Sequence, residues 1–139
     1  DALGEYFAAT FERVAGVLQS AGVATAGPPF ARYRGHPGDH TDVETGFPVS
    51  AGTAPVPGLV MGALPAGRAV EVVHVGDYAH LPDTYALIDA WAADHGVAIR
   101  DEMWEVYESG PASDPDPATW RTRIVCPVAE PQLERGRST

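Results

Sequence analysis

Cysteine is nearly absent. Cys126 is the only one in the 139 residues, so no internal disulfide can form, and the chain suits a reducing, cytoplasmic compartment. Basic side chains are scarce too: nine Lys and Arg stand against nineteen Asp and Glu, and the net charge is -10. Nucleic-acid binding depends on basic groups that neutralise phosphates and release counterions. No basic run exceeds the mixed stretch at 134–137, so this chain is not expected to contact nucleic acid directly. An acidic surface instead favours cationic ligands or basic partners, over a baseline of plain solubility. No run of about 18 apolar residues exists, so no membrane span is expected, and no secretory signal pattern appears. Neither a phosphate-binding glycine loop nor a Gly-x-Ser-x-Gly elbow is present.

What is there suffices for one core. The chain is 45% apolar and 9% aromatic, and its length suits a single domain. Glycine (15) and proline (13) cluster. RGHPGDH at 34–40, SAGTAPVPG at 50–58 and SGPASDPDPA at 109–118 read as loops. EPQLERGRST at 130–139 reads as a flexible tail after a domain spanning 1–129. Leu3, Phe7, Phe11, Val14, Leu18 and Ala21 recur at helical spacing, which predicts a helix over 3–21 ended by Gly22. Leu81, Tyr85, Ile88 and Ala92 predict a second over 82–95, with Pro82 in its first turn, Asp83 at the positive end of its dipole and Gly96 as its stop.

The two helices are related. An offset of 74 carries Phe7, Phe11, Val14 and Leu18 onto Leu81, Tyr85, Ile88 and Ala92. The same offset carries Gly22-Val23-Ala24 onto Gly96-Val97-Ala98, Phe30 onto Trp104 and Tyr33 onto Tyr107. Pro48-Val49 matches Pro127-Val128 once five extra residues are absorbed by the 109–118 loop. This reads as an internal duplication of a β-α-β-β unit. Its first-half counterpart of the strand at 69–76 is expected before Asp1. The fold class is therefore α+β: one curved antiparallel sheet, two helices on one face, and a ligand cleft on the other.

One charge interrupts this pattern. In MWEVYESGP, residues 103–111, a carboxylate sits between Trp104 and Val106 in a predicted strand. Side chains alternate along a strand, so Met103, Glu105 and Tyr107 share one face. The plain reading puts Trp104 and Val106 in the core and Glu105 in solvent. The sharper one, from the repeat, adds Ala31 and Tyr33 to the Glu105 face and makes an aromatic pocket with one carboxylate. Such a group would have a raised pKa unless compensated. It would suit a cationic or hydrogen-bond-donating ligand, with the tyrosine faces adding cation–π attraction, or serve as a general acid or base.

These residues resemble a known family. His74-Val75-Gly76-Asp77-Tyr78, followed by Leu81, Tyr85, Ile88 and Trp91, is similar to the HxGxY…L…Y…L…W signature of GyrI-like domains, the effector-binding domains of multidrug-sensing regulators. Pro29-Phe30-Ala31-Arg32-Tyr33, residues 42–49, and Trp104-Glu105-Val106-Tyr107 with Gly110-Pro111 resemble its other blocks, over residues 3–128 in all. The resemblance implies a duplicated β-α-β-β sheet and a cleft for bulky, often cationic compounds. It places the family's pocket carboxylate on Glu105. Some members are regulatory domains joined to a DNA-binding segment; residues 1–139 hold no counterpart of it, and such a segment or a single strand is expected before Asp1. Others act alone, inhibiting gyrase or hydrolysing cyclopropane-containing antibiotics and related electrophiles.

The expected ligand contacts are thus Glu105, Tyr33, Tyr107, Met103, Trp120 and Trp91. Trp91 is a core or cleft-wall residue in this reading, and Trp120 caps the cleft after the 109–118 loop. If the domain is a hydrolase, Glu105 activates water and Tyr33 or Tyr107 donates a proton. No cofactor is implied. A gyrase-type protein partner ranks below a hydrophobic or cationic small molecule. His74 and Tyr78 are expected as scaffold. His36, Asp39, His40 and Asp42 match no zinc spacing, so no metal is expected. Cys126 reads as a small core residue.

Overall fold

The computed structural model describes residues 2–35, 42–111 and 113–129. Helix α1 (Ala2–Ser20) leads into strands β1 (Phe30–Arg34) and β2 (Asp42–Gly46). Strand β3 (Ala69–Val75), a short 3-10 turn at Tyr78–His80 and helix α2 (Leu81–His95) follow. Strands β4 (Glu102–Tyr107) and β5 (Arg121–Pro127) complete one antiparallel sheet in the order β2-β1-β4-β5-β3. The expected tail at 130–139, the strand before Asp1, and His36, Asp39 and His40 lie outside the described residues. Asp42 engages Arg34 at 3.3 Å.

The duplication holds at the level of register. In the first half Phe30 faces Gly46, Ala31 faces Thr45 and Tyr33 faces Val43. Offsets of 74 and 79 turn these into Trp104–Val125, Glu105–Ile124 and Tyr107–Thr122, the pairs found between β4 and β5. The isolated bridges Thr25–Val49 and Ile99–Val128 obey the same two offsets. The helix ends match as well. Gly22 and Gly96 both take left-handed φ, at 74° and 65°. The next residues return to their helices through Val23 N to Leu18 O and Val97 N to Ala92 O, each 2.9 Å. Only glycine enters this conformation at no steric cost, so each helix stops where the sequence supplies one.

Both sheet faces are apolar, and each is covered differently. Ala31, Tyr33, Met103, Ile124 and Cys126 lie beneath Leu81 and Ile88 of α2, with Phe7 of α1 packed on the same cluster. On the opposite face Trp104, Val106 and Val125 pack with Phe30 and Leu64. Val56 joins Val14 and Leu18, tying the segment between β2 and β3 to α1. A line of ion pairs runs along that opposite face. Arg32 forks onto Glu102 at 2.6 and 2.8 Å, and Arg123 reaches Glu108 at 3.0 Å and Glu71 at 3.4 Å.

The class and the sheet are as expected, and one placement is corrected. Glu105 shares its face with Met103 and Tyr107, as alternation requires, and that is the face the helices cover. The face opposite the helices holds Trp104 and Val106. A ligand site at Glu105 therefore belongs between the helices and the sheet. Helix α1 packs along β2 and α2 along β3, so the two helices flank the central strand that carries Glu105.

Candidate ligand-binding site

Glu105 occupies the middle of the middle strand. Its cross-strand partners on the same face are Ala31 of β1 and Ile124 of β5. Ala31 is its counterpart in the repeat, so the approximate two-fold axis relating the halves passes between them. The carboxylate is 5% exposed. Tyr107 donates to its Oε1 at 2.6 Å, and Tyr85 of α2 donates to its Oε2. Tyr33, the repeat counterpart of Tyr107, also hydrogen-bonds the carboxylate. Met103, fully buried, faces Tyr33 across the strands, and its sulfur lies 3.9 Å from the Tyr85 hydroxyl.

A buried carboxylate costs several kcal/mol in desolvation unless its oxygens are satisfied. Burial pushes the Glu105 carboxyl above its usual range, while Tyr107, Tyr85, His74 and Tyr33 pull the other way. Burial and the Glu105 charge raise the hydroxyls of Tyr33, Tyr85 and Tyr107, which therefore stay protonated donors. The chain has no lysine. Among the described residues no arginine pairs with Glu105; the ion pairs of Arg32, Arg34, Arg100, Arg121 and Arg123 go to other acids. A carboxylate has about four lone-pair sites, and three phenols leave one acceptor direction open.

Aromatic rings roof the group. Phe11 of α1 meets Tyr107 edge-on at 5.9 Å, and Tyr78 meets Tyr107 at 6.0 Å. Trp120 lies 5.0 Å from Tyr78 and is held by an indole N–H bond of 2.8 Å to the Asp114 carbonyl. Gly110 makes room for this arrangement, since a Cβ there would sit 2.6 Å from the Tyr78 hydroxyl. His74 is buried beside the cluster. Its Nε2 bonds the Asp77 carbonyl at 2.9 Å and its Nδ1 the Thr84 hydroxyl at 2.7 Å. A carbonyl only accepts, so Nε2 donates there, and both ring nitrogens have a partner.

Of the expected contacts, Tyr33, Met103 and Tyr107 gather around Glu105, and Trp120 stands at the rim through Tyr78. Trp91 does not join them. It is 44% exposed on α2 and stacks on His95 at 4.3 Å, so the expectation of a core or cleft wall is corrected. Tyr85 is expected in the helix stripe and the family signature but not among the ligand contacts, yet it is a direct partner of the carboxylate. A signal was available: a phenol in a buried stripe needs an acceptor, and Glu105 is the only acid on the β4 face its helix covers.

The arrangement can hold a positive group against one buried negative charge, with ring faces on several sides. A family profile described as the GyrI-like small molecule binding domain matches residues 2–129. The chain belongs to the GyrI-like small-molecule-binding family. The crystal structure of the EcmrR C-terminal domain aligns with a TM-score of 0.72 at 23% identity, covering 86% of this chain and 79% of that one. EcmrR in its cryo-EM complex with DNA gives 0.69 at 24% identity, covering 90% of this chain and 50% of that one. This chain thus spans half the length of the DNA-bound protein, and at such identities the likeness concerns the fold. No curated protein matches at a significant level. Among the described residues no helix is long and apolar enough to cross a membrane.

Proposed function

We propose that this GyrI-like domain binds hydrophobic, positively charged compounds between its two helices, with Glu105 as the counter-charge and the rings of Tyr33, Tyr85, Tyr107 and Phe11 as walls. One observation carries the reading: a carboxylate on the central strand, 5% exposed, is held by phenol donors and forms no ion pair with an arginine among the described residues. A cation brought against it recovers Coulomb energy in a medium of low dielectric, where the attraction is several-fold stronger than in water. Aromatic faces add about 0.5–2 kcal/mol for a cation lying over them. Phe11, Tyr78 and Trp120 close the group off, so entry requires these rings to part. The binding step is common to sensing and to sequestration. The DNA-bound relative favours sensing wherever this domain forms part of a longer regulator.

Hydrolysis asks more of the same carboxyl. It must reach a water as well as the compound, and its oxygens already hold phenol protons. The deciding experiment is a titration with an aromatic ammonium such as 4-phenylbenzylamine, followed by tryptophan fluorescence through Trp120. Saturable quenching that Glu105→Gln weakens at least tenfold supports the reading; equal affinity in both proteins overturns it. A cyclopropane-bearing electrophile should come back unaltered by mass spectrometry. Water addition faster than in buffer and abolished by Glu105→Gln would turn the reading to a hydrolase.

A further inference from the structure

Thr122 poses a problem that the fold does not resolve. It is fully buried on β5, and its hydroxyl has no hydrogen-bond partner. A buried hydroxyl left unpaired is destabilising, and buried polar groups in native proteins are rarely left so. A valine has the same shape and would not carry that cost.

The position of Thr122 points to its use. It is the cross-strand partner of Tyr107 on one side and of His74 on the other. It therefore shares a face with Glu105, which pairs with the residue two further along β5, Ile124. Diagonal neighbours of this kind lie about 7–8 Å apart, within reach of a long side chain, so the Glu105 carboxylate can extend toward the Thr122 side and narrow the gap that a ligand must bridge. None of the polar groups beside it bonds it: both His74 nitrogens go to Thr84 and Asp77, and the Tyr107 proton goes to Glu105. A ligand that carries a spare N–H donor can satisfy the Thr122 oxygen.

We infer that Thr122 is a second polar contact of the ligand site, and that the preferred ligand carries an ammonium with N–H bonds, bridging the Glu105 carboxylate and the Thr122 hydroxyl. A quaternary ammonium answers Glu105 by charge alone and leaves Thr122 unpaired. The inference rests on the proposed binding role of Glu105 and adds to it a choice among cations.

Two probes of the same charge and ring system, one with N–H bonds and one without, test it: 4-phenylbenzylamine and its N,N,N-trimethyl derivative, with the Thr122 variants separating the hydrogen bond from the added methyl bulk. The wild-type domain should bind the primary amine about tenfold more tightly than the quaternary ion, the usual worth of one hydrogen bond to a charged donor. Thr122→Val should reduce that ratio to about one, through lost amine affinity, while its melting temperature holds or rises. Thr122→Ser keeps the hydroxyl and should keep the preference. Glu105→Gln should weaken both probes together. A ratio unmoved by Thr122→Val, with both probes still dependent on Glu105, overturns the inference and leaves the Glu105 reading standing; it is also the result expected if Thr122 merely holds a buried water. Failure of both probes to bind the wild type overturns both.

Discussion

Tyr85→Phe removes one hydroxyl and leaves the ring that packs under α2. Its cost should be electrostatic and should depend on the state of Glu105. A hydrogen bond to a charged group contributes about 1.5–3 kcal/mol, and one between neutral groups about 0.5–1.5. Tyr85 opposes the effect of burial on Glu105, so its loss raises the carboxyl further. An acid whose folded pKa exceeds its unfolded value contributes fully below the unfolded value of 4.5 and loses that contribution as pH rises through the folded one. The variant should therefore resemble the wild type most closely below about pH 4.5, and fall away from it as pH rises. At neutral pH the loss should approach about 2 kcal/mol, or roughly 6–8 °C in melting temperature for a domain of this size. Thermal melts from pH 4 to 8 measure this for wild type, Tyr85→Phe, Glu105→Gln and the double variant. A coupling energy above about 1 kcal/mol at neutral pH, shrinking in acid, is expected from the cycle. A Tyr85→Phe cost that is the same at every pH, or that persists whole in the Glu105→Gln background, would refute the pairing.

The wild type itself should lose stability as pH rises above about 4.5 through the raised Glu105 titration, and Glu105→Gln should flatten that slope; denaturant titrations across the range would show it, and a parallel slope in both proteins would count against burial of the charge. Cys126, pushed up to about 11 by burial, should resist a thiol-reactive disulfide at pH 8 until the domain is unfolded, and stoichiometric reaction with the native protein within minutes would contradict its place in the core.

Much of the fold could be read from the chain because its signals were local. The helices follow from apolar spacing, and their ends from Gly22 and Gly96. The sheet register follows from the repeat, since Tyr33 and Tyr107 fall at equivalent positions and the 109–118 loop absorbs the extra residues. The covered face could not be read that way. Alternation groups Met103, Glu105 and Tyr107 on one side and Trp104 and Val106 on the other, but both sets are mostly apolar and both are buried. Nothing in such a strand says which side meets the helices. Trp91 misled for a related reason. A large aromatic suggests the interior, yet at 3.6 residues per turn it lies about 100° around the helix from Ala92, off the buried stripe. Tyr85 falls on that stripe, where the ring alone satisfies the apolar pattern and the spacing carries no sign of the hydroxyl's partner.

A duplicated scaffold explains why a single carboxylate can sit where it does. Residues on an approximate two-fold axis face their own counterparts, and Glu105 faces Ala31. Had both halves kept the acid, two carboxylates would meet across the strands in a buried site, and mutual repulsion would force a proton onto one of them. Alanine in the first half avoids that conflict and leaves only a methyl group opposite the charge. The tyrosines were free to remain duplicated, because two phenol donors on one acceptor cooperate where two acids compete. Tyr33 and Tyr107 therefore reach the same carboxylate from opposite halves, and only α2 adds a third donor, Tyr85. On the α1 side the residue equivalent to Tyr85 is Phe11, a ring with no hydroxyl, and it packs on Tyr107 rather than bonding Glu105. In the proposed binding mode the polar half of the site therefore belongs to α2 and the apolar half to α1, and an amphipathic cation orients with its charge toward α2 and β5 and its hydrocarbon toward α1.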